Sequence, residues 1–413
     1  MSSPTNSNFL DIIRYNPPYV VSIEVTYRCP MGCLYCHNPP DLPPARSSGG
    51  IRSISCNMPV SRTYSRRYSR ELGTYEWLKI IYKISQLRPY NFVISGGEPL
   101  LRKDIYIMII EASNLNLKPL LLTSGSIYSK EIAQKLKEAG LNRIRINVSS
   151  HVMLDIANPD RLKRTIYERI KAIEIYKEAG FYVQVGILYI RPYIDMIEDI
   201  VERCLEAGAD LVEIHHMARY GHGFYNYYLL KPIQSDVEKL ESLREKLVTK
   251  YGEKIYFAVD KDIVIGRKPY PNLWGLIGLA IVPDGSIFPS EEASAMGDVA
   301  ILGNALVDDI REVWMNNALL NRLRSLEWLC EPCRSCSIKM ECRGGSRFIA
   351  YMLTGNLFSP DPTCPLAANQ PDLQEKELDR ATWQLRIRGD EHRLKVGESI
   401  SKAPQDRKGY SSA

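Results

Sequence analysis

The chain has 413 residues, 45% of them hydrophobic and 24% charged, which excludes a mainly disordered, collagen-like or coiled-coil protein and allows two or three domains at roughly 150 residues each. Its net charge of +5 is too thinly spread over this length to imply a nucleic-acid partner. A membrane span needs about 20 apolar residues, and the best run, ten residues at 273–282 with two glycines, does not reach it; residues 1–11 lack the basic start and apolar stretch of a signal peptide.

Residues 1–17 read as an N-terminal extension. An apolar strand at 19–25 then runs straight into Cys29, Cys33 and Cys36. Residues 39–72 form a long irregular segment with six arginines, no lysine and two acids, Asp41 and Glu71. A loop of this length inside a domain is usually functional or disordered. Regular alternation follows. Residues 76–87 read as a helix with Trp77, Ile80, Ile81, Ile84 and Leu87 on one face. Strand 92–94 ends at Gly96-Gly97, and helix 104–113, strand 119–123, helix 129–139 and strand 143–148 come next. Helix 160–179 stops at Gly180, and strand 182–189, helix 194–207 and strand 211–214 complete the series. Short apolar strands alternating with helices predict a parallel sheet covered by helices. The fold class expected is α/β, a partial (β/α)6 TIM-like barrel over residues 18–230.

Residues 231–275 carry a connecting helix and strand. From 276 to 370 the pattern changes to a hairpin at 279–288, a helix at 308–324 and a second group of cysteines, read as a small C-terminal Fe–S cluster domain. Residues 371–413 are mostly charged and read as a partly disordered tail.

The ten cysteines are clustered: Cys29, Cys33 and Cys36, then Cys330, Cys333, Cys336 and Cys342, then Cys364, with only Cys56 and Cys204 alone. Tight clusters in a chain without an export signal point to metal or Fe–S ligands in a reducing cytosol, so a cytoplasmic location is expected. Cys204, on a helix, reads as a buried small hydrophobe, and Cys56 as a bystander. Three thiolates on one loop can hold three irons of a cubane and leave the fourth open. Structural zinc is the alternative, with His37 as a fourth ligand. The loop follows the first strand of a βα array, where barrel active sites gather. After the second strand comes Ser95-Gly96-Gly97-Glu98-Pro99. The glycines let a ligand approach the backbone closely, and Glu98 offers a carboxylate to an amino group.

The cysteine loop, with Tyr35 before its last cysteine, and the Gly-Gly-Glu-Pro tract together resemble the radical S-adenosylmethionine (radical SAM) enzymes over residues 18–370. The resemblance implies a [4Fe-4S] cluster on Cys29, Cys33 and Cys36, with the amino and carboxylate groups of SAM on the open iron. It implies that Gly96, Gly97, Glu98 and Pro99 bind the SAM amino group. It also implies reductive cleavage of SAM to a 5′-deoxyadenosyl radical that abstracts hydrogen from a substrate. By position, Thr123, Ser124 and Ser149 at strand ends are further SAM contacts. Gly186 stands where relatives often have asparagine.

The pattern Cys330-x2-Cys333-x2-Cys336-x5-Cys342, with Cys364 after Asp361-Pro362, is similar to a SPASM auxiliary-cluster domain, in full or shortened form. Ser290 and Ser346 stand where a full domain has cysteines. One auxiliary [4Fe-4S] cluster on Cys333, Cys336, Cys342 and Cys364 is therefore expected, with Cys330 a spare or replacement ligand. A zinc knot is the structural alternative.

His215, His216, Arg219, Tyr220 and His222 are read as a loop after the sixth strand that faces the barrel mouth. His216 and Arg219 are the substrate-contact candidates. The arginine-rich segment reads as a lid that attracts carboxylates. The resemblance implies side-chain tailoring of a siroheme-derived tetrapyrrole in heme biosynthesis as the preferred function. Modification of a peptide or protein is the alternative, and a non-catalytic Fe–S electron carrier is the reading from another class. The expected electron donor is a ferredoxin or flavodoxin.

Overall fold

The computed structural model describes residues 17–38, 70–149, 159–264 and 266–367. The N-terminal extension before residue 17, the arginine-rich segment up to residue 69 with Cys56, and the charged tail lie outside the described residues.

Seven strands arise in succession: β1 (Val20–Glu24), β2 (Asn91–Ser95), β3 (Leu120–Thr123), β4 (Arg143–Asn147), β5 (Tyr182–Tyr189), β6 (Leu211–His216) and β7 (Ile255–Ala258). Each pairs parallel with the next. Helices α1 (Thr74–Leu87), α2 (Ile105–Asn114), α3 (Lys130–Glu138), α4 (Pro159–Glu178) and α5 (Ile197–Glu206) fill the crossovers from β1 to β6. Period-two alternation sorts the faces. Val21, Ile23 and Val25 are buried in the layer beneath the helices, whereas Ser22 lines the barrel interior. The face of α1 expected from the sequence, Trp77, Ile80, Ile81, Ile84 and Leu87, is buried against that layer, and so is Cys204 on α5.

Short helix α6 (Gly221–Tyr225) follows β6, and the long helix α7 (Gln234–Tyr251) leads to β7 on one sheet edge. The hairpin β8 (Gly278–Ile281) and β9 (Ser286–Phe288) joins the other edge, with β8 parallel to β1 and β9 antiparallel to β8. A two-residue strand, β10 (Gly303–Asn304), completes one open sheet in the order β10-β9-β8-β1-β2-β3-β4-β5-β6-β7. The hairpin is therefore part of the barrel sheet.

Two expectations from the sequence are corrected. The helix expected at 308–324 is two helices, α8 (Ile310–Asn316) and α9 (Ala318–Ser325). Asn317 breaks it by capping α9, accepting from the backbone N–H groups of Leu319 and Leu320. His215 and His216 belong to β6 itself, not to a following loop.

A second core, including Tyr27, Phe224, Trp274, Phe288, Leu323 and Phe348, joins the cysteine loop and α6 to the hairpin and to α10 (Arg347–Thr354). The C-terminal cysteines are thus anchored to the same elements that present the first group.

Candidate active site

Cys29, Cys33 and Cys36 leave the carboxyl end of β1 and line one cavity of about 370 Å³. The loop is fixed by backbone zippering to the β2 turn: Gly97 N–H donates to Thr26 O at 2.6 Å, and Glu98 N–H donates to Arg28 O at 2.9 Å. A Cβ on Gly96 would lie 2.3 Å from Thr26 O, and one on Gly97 would lie 2.4 Å from Arg28 O. What approaches these glycines so closely is the cysteine loop. The loop's far end is held by α6. His222 N–H donates to Cys36 O at 2.8 Å, and a Cβ on Gly221 would lie 2.4 Å from His37 O.

Burial pushes the Cys29 thiol up to about 12 and raises that of Cys36 as well. Without a cation these sulfurs stay protonated, so a metal centre is what makes them thiolate ligands. Among the described residues the one His, Cys, Asp or Glu set whose ligand atoms lie within 4.8 Å of one another is Glu24, His37 and Glu291. Neither cysteine group converges that tightly. Tetrahedral zinc, at about 2.3 Å to each sulfur, needs neighbouring sulfurs about 3.8 Å apart. His37 also points elsewhere, its Nε2 bonded to buried Glu24 at 2.8 Å. Burial would lower its pKa, but the Glu24 bond and charge, with Glu291 and Glu292 behind, raise it to about 9.

Glu98 has no exposed surface and does not line the cavity. Its Oε1 accepts from Thr123 Oγ1 at 2.8 Å and from Leu100 N–H at 3.3 Å. Its Oε2 accepts from Ser124 N–H at 2.9 Å and Ser124 Oγ at 2.5 Å. Burial raises its pKa against these bonds. In place of a carboxylate offered to an amino group, the fold uses Glu98 to brace the β2 turn against β3. Pro99 starts the short turn behind it. Gly96, Gly97, Thr123, Ser124 and buried Tyr35 do line the cavity.

Ser149 is buried and absent from the cavity wall. Its Oγ accepts from Leu188 N–H at 2.9 Å, tying β4 to β5, while the neighbouring Asn147 faces the cavity. His216 lines the cavity, its Nδ1–H donating to Ala258 O at 3.0 Å, which leaves Nε2 as an acceptor. Burial lowers its pKa and keeps the ring neutral. Arg219 stands apart, stacked 4.2 Å over the Tyr227 ring in a different, smaller cavity.

Sequence reasoning missed Arg145, Asn147, Glu213, Glu291 and Glu292. Arg145 packs in the space left by Gly186 and binds Glu213 at 2.7 Å and His215 Nε2 at 2.5 Å. The signal was present: in 143–147 every second residue is polar, marking a strand whose inner face is wet.

In the C-terminal region Cys333, Cys336, Cys342 and Cys364 line a cavity of about 250 Å³, and Cys330 is exposed outside it. Burial pushes Cys333 up to about 12 and Cys342 up to about 11. The surrounding chain is knotted by buried Arg347, which donates to the carbonyls of Gly344, Gly345, Leu357 and Ser359. Asp361 accepts from Ser346 N–H at 2.8 Å and from Thr363 N–H at 2.8 Å. Ser346, where a full SPASM domain has cysteine, caps α10 by accepting from Ile349 N–H.

The Radical SAM superfamily model matches residues 23–204, which hold the first three cysteines, the Gly-Gly-Glu-Pro tract and β1 to β5. Residues 23–204 are thus a radical SAM domain. The chain's cofactors are accordingly SAM and [4Fe-4S] clusters, and both cysteine-lined cavities fit such clusters. The chain is 28% identical over 352 residues to the PqqA peptide cyclase of Gluconobacter oxydans (strain 621H), covering 85% of this chain and 92% of that one. Its fold resembles SuiB of Streptococcus suis bound to S-adenosylmethionine, with a TM-score of 0.61 at 16% identity over 87% of this chain and 81% of that one. It also resembles anSMEcpe with bound AdoMet, with a TM-score of 0.55 at 12% identity over 92% and 100%. No helix among the described residues is long and apolar enough to cross a membrane.

Proposed function

We propose that this enzyme modifies a peptide or protein. The observation that carries the reading is the likeness to a PqqA peptide cyclase, which extends over 352 residues, 85% of this chain and 92% of that one. The cavity walls support it over the tetrapyrrole reading preferred from the sequence. Beside Arg145, which is paired with Glu213, and Arg347, which is turned to backbone carbonyls, the barrel interior presents Glu291 and Glu292. A tetrapyrrole rich in acetate and propionate groups would meet like charge there.

In this reading Cys29, Cys33 and Cys36 hold the SAM-binding cluster, and Cys333, Cys336, Cys342 and Cys364 hold one auxiliary [4Fe-4S] cluster. The bound cluster and SAM supply a 5′-deoxyadenosyl radical for hydrogen abstraction. The chain supplies the setting. Gly96 and Gly97 leave room at the cluster loop, and Asn147 and His216 present polar atoms to the SAM cavity. A ferredoxin or flavodoxin is the electron donor proposed.

The test uses reduced, cluster-loaded enzyme with added SAM under anaerobic conditions, supplied either with deuterated peptide mixtures or with a deuterated siroheme-derived tetrapyrrole. The expected result is deuterium transfer from peptide into 5′-deoxyadenosine. Transfer stimulated by the tetrapyrrole alone would overturn the peptide reading.

A further inference from the structure

A second cavity, of about 400 Å³, continues the SAM cavity toward the hairpin and shares Arg145, Glu291 and Glu292 with it. It is lined by two cations, Arg145 and Arg347, and two carboxylates, Glu291 and Glu292, and Arg347 is turned to backbone carbonyls. Arg145 is engaged by Glu213 at 2.7 Å. Glu291 reaches His37 Nε2 only at 3.9 Å, and that ring is already bonded to Glu24. Glu292 accepts from Trp274 Nε1 at 2.9 Å and has no ion pair among the described residues. A neutral indole donor leaves its charge uncompensated.

A second observation is independent of charge. Asn272 is 2% exposed and lines this cavity, yet its Nδ2 has no hydrogen-bond partner among the described residues. Its Oδ1 is used, accepting from Trp274 N–H at 3.2 Å. A buried amide donor left unpaired costs free energy that a bound acceptor would recover. The Oγ of Ser290 is likewise buried and unpartnered on the same wall. The wall thus asks for a cation beside the carboxylates and a carbonyl oxygen beside Asn272, a pairing that a basic residue in a peptide supplies.

We propose that this cavity is a specificity subsite for a lysine-like or arginine-like side chain of the substrate, held by Glu292 and Glu291, with a substrate carbonyl accepting from Asn272 Nδ2. The carbonyl half rests on the peptide reading above; the cation half does not.

The test measures binding to cluster-loaded enzyme with SAM by calorimetry. The probes are N-acetyl-Gly-Lys-Gly-amide, its norleucine counterpart and n-pentylamine. The lysine peptide is expected to bind at least about tenfold tighter than the norleucine peptide, the size of one charge-assisted contact. Glu292→Gln keeps an acceptor for Trp274 and should abolish that preference; Glu291→Gln is the second variant. Iron content of each variant checks that the fold is intact. Pentylamine binding that depends on Glu292, without binding of either peptide, would keep the cation subsite and sink the peptide reading. If neither the lysine peptide nor pentylamine binds tighter than the norleucine peptide, or if the preference survives in both variants, the subsite is overturned.

Discussion

Glu98 accepts four hydrogen bonds with no surface exposed, so its carboxylate is a fixed strut between the β2 turn and the end of β3. Glutamine in its place would turn an NH2 group toward one of these donors and leave a buried donor unpaired, a cost of about 1–3 kcal/mol. Glu98→Gln is expected to lower the denaturant midpoint and weaken SAM binding together; an unchanged midpoint would contradict the strut. Gly221 is a second sensitive position, because its Cβ would meet backbone rather than a movable side chain. Gly221→Ala should displace the Cys36–His37 carbonyls and cost the enzyme about four of its irons, one cubane. Full iron retention would contradict this. At this scale the cysteines were legible because their ligand spacing is short and local. The Glu98 brace and the Arg145–Glu213 pair were not, since their partners arrive from other strands.

The helices and parallel strands were legible element by element, because each carries its own period: α1 buries the stripe its sequence displays, and β5 has the expected bounds. Two things escaped. The edge that β8 joins depends on the long-range pairing of Gly278 with Val20, for which local pattern carries no signal. The break at Asn317 was hidden because apolar spacing continues through it, while the cap itself is a side-chain event. Asn317 also donates to Leu302 O at 3.0 Å, holding α9 to the chain beyond the hairpin. Asn317→Ala should lose both contacts and cost about 1–2 kcal/mol, read as a lower thermal midpoint. A wild-type midpoint would mean that packing of Leu320 and Leu323 alone sets the helix.

Over the whole molecule, the core around Phe288 and Phe348 holds the elements that present both cysteine groups and contains no cysteine itself, so loss of one cluster leaves the other in place. Two cubanes predict about eight irons per chain. Cys342→Ala should leave about four, and Cys330→Ala, at an exposed sulfur outside the cavity, should leave all of them. Iron lost equally in both variants would put Cys330 among the ligands.

The central claim is that the Cys29–Cys33–Cys36 loop carries SAM cleavage. The direct measurement is 5′-deoxyadenosine formed from SAM by reduced, fully clustered enzyme, scored by mass spectrometry against Cys36→Ala. The account predicts deoxyadenosine from the native enzyme, more of it with a peptide substrate, and none from the variant. No deoxyadenosine from native enzyme with a full iron complement, or equal amounts from Cys36→Ala, would contradict it.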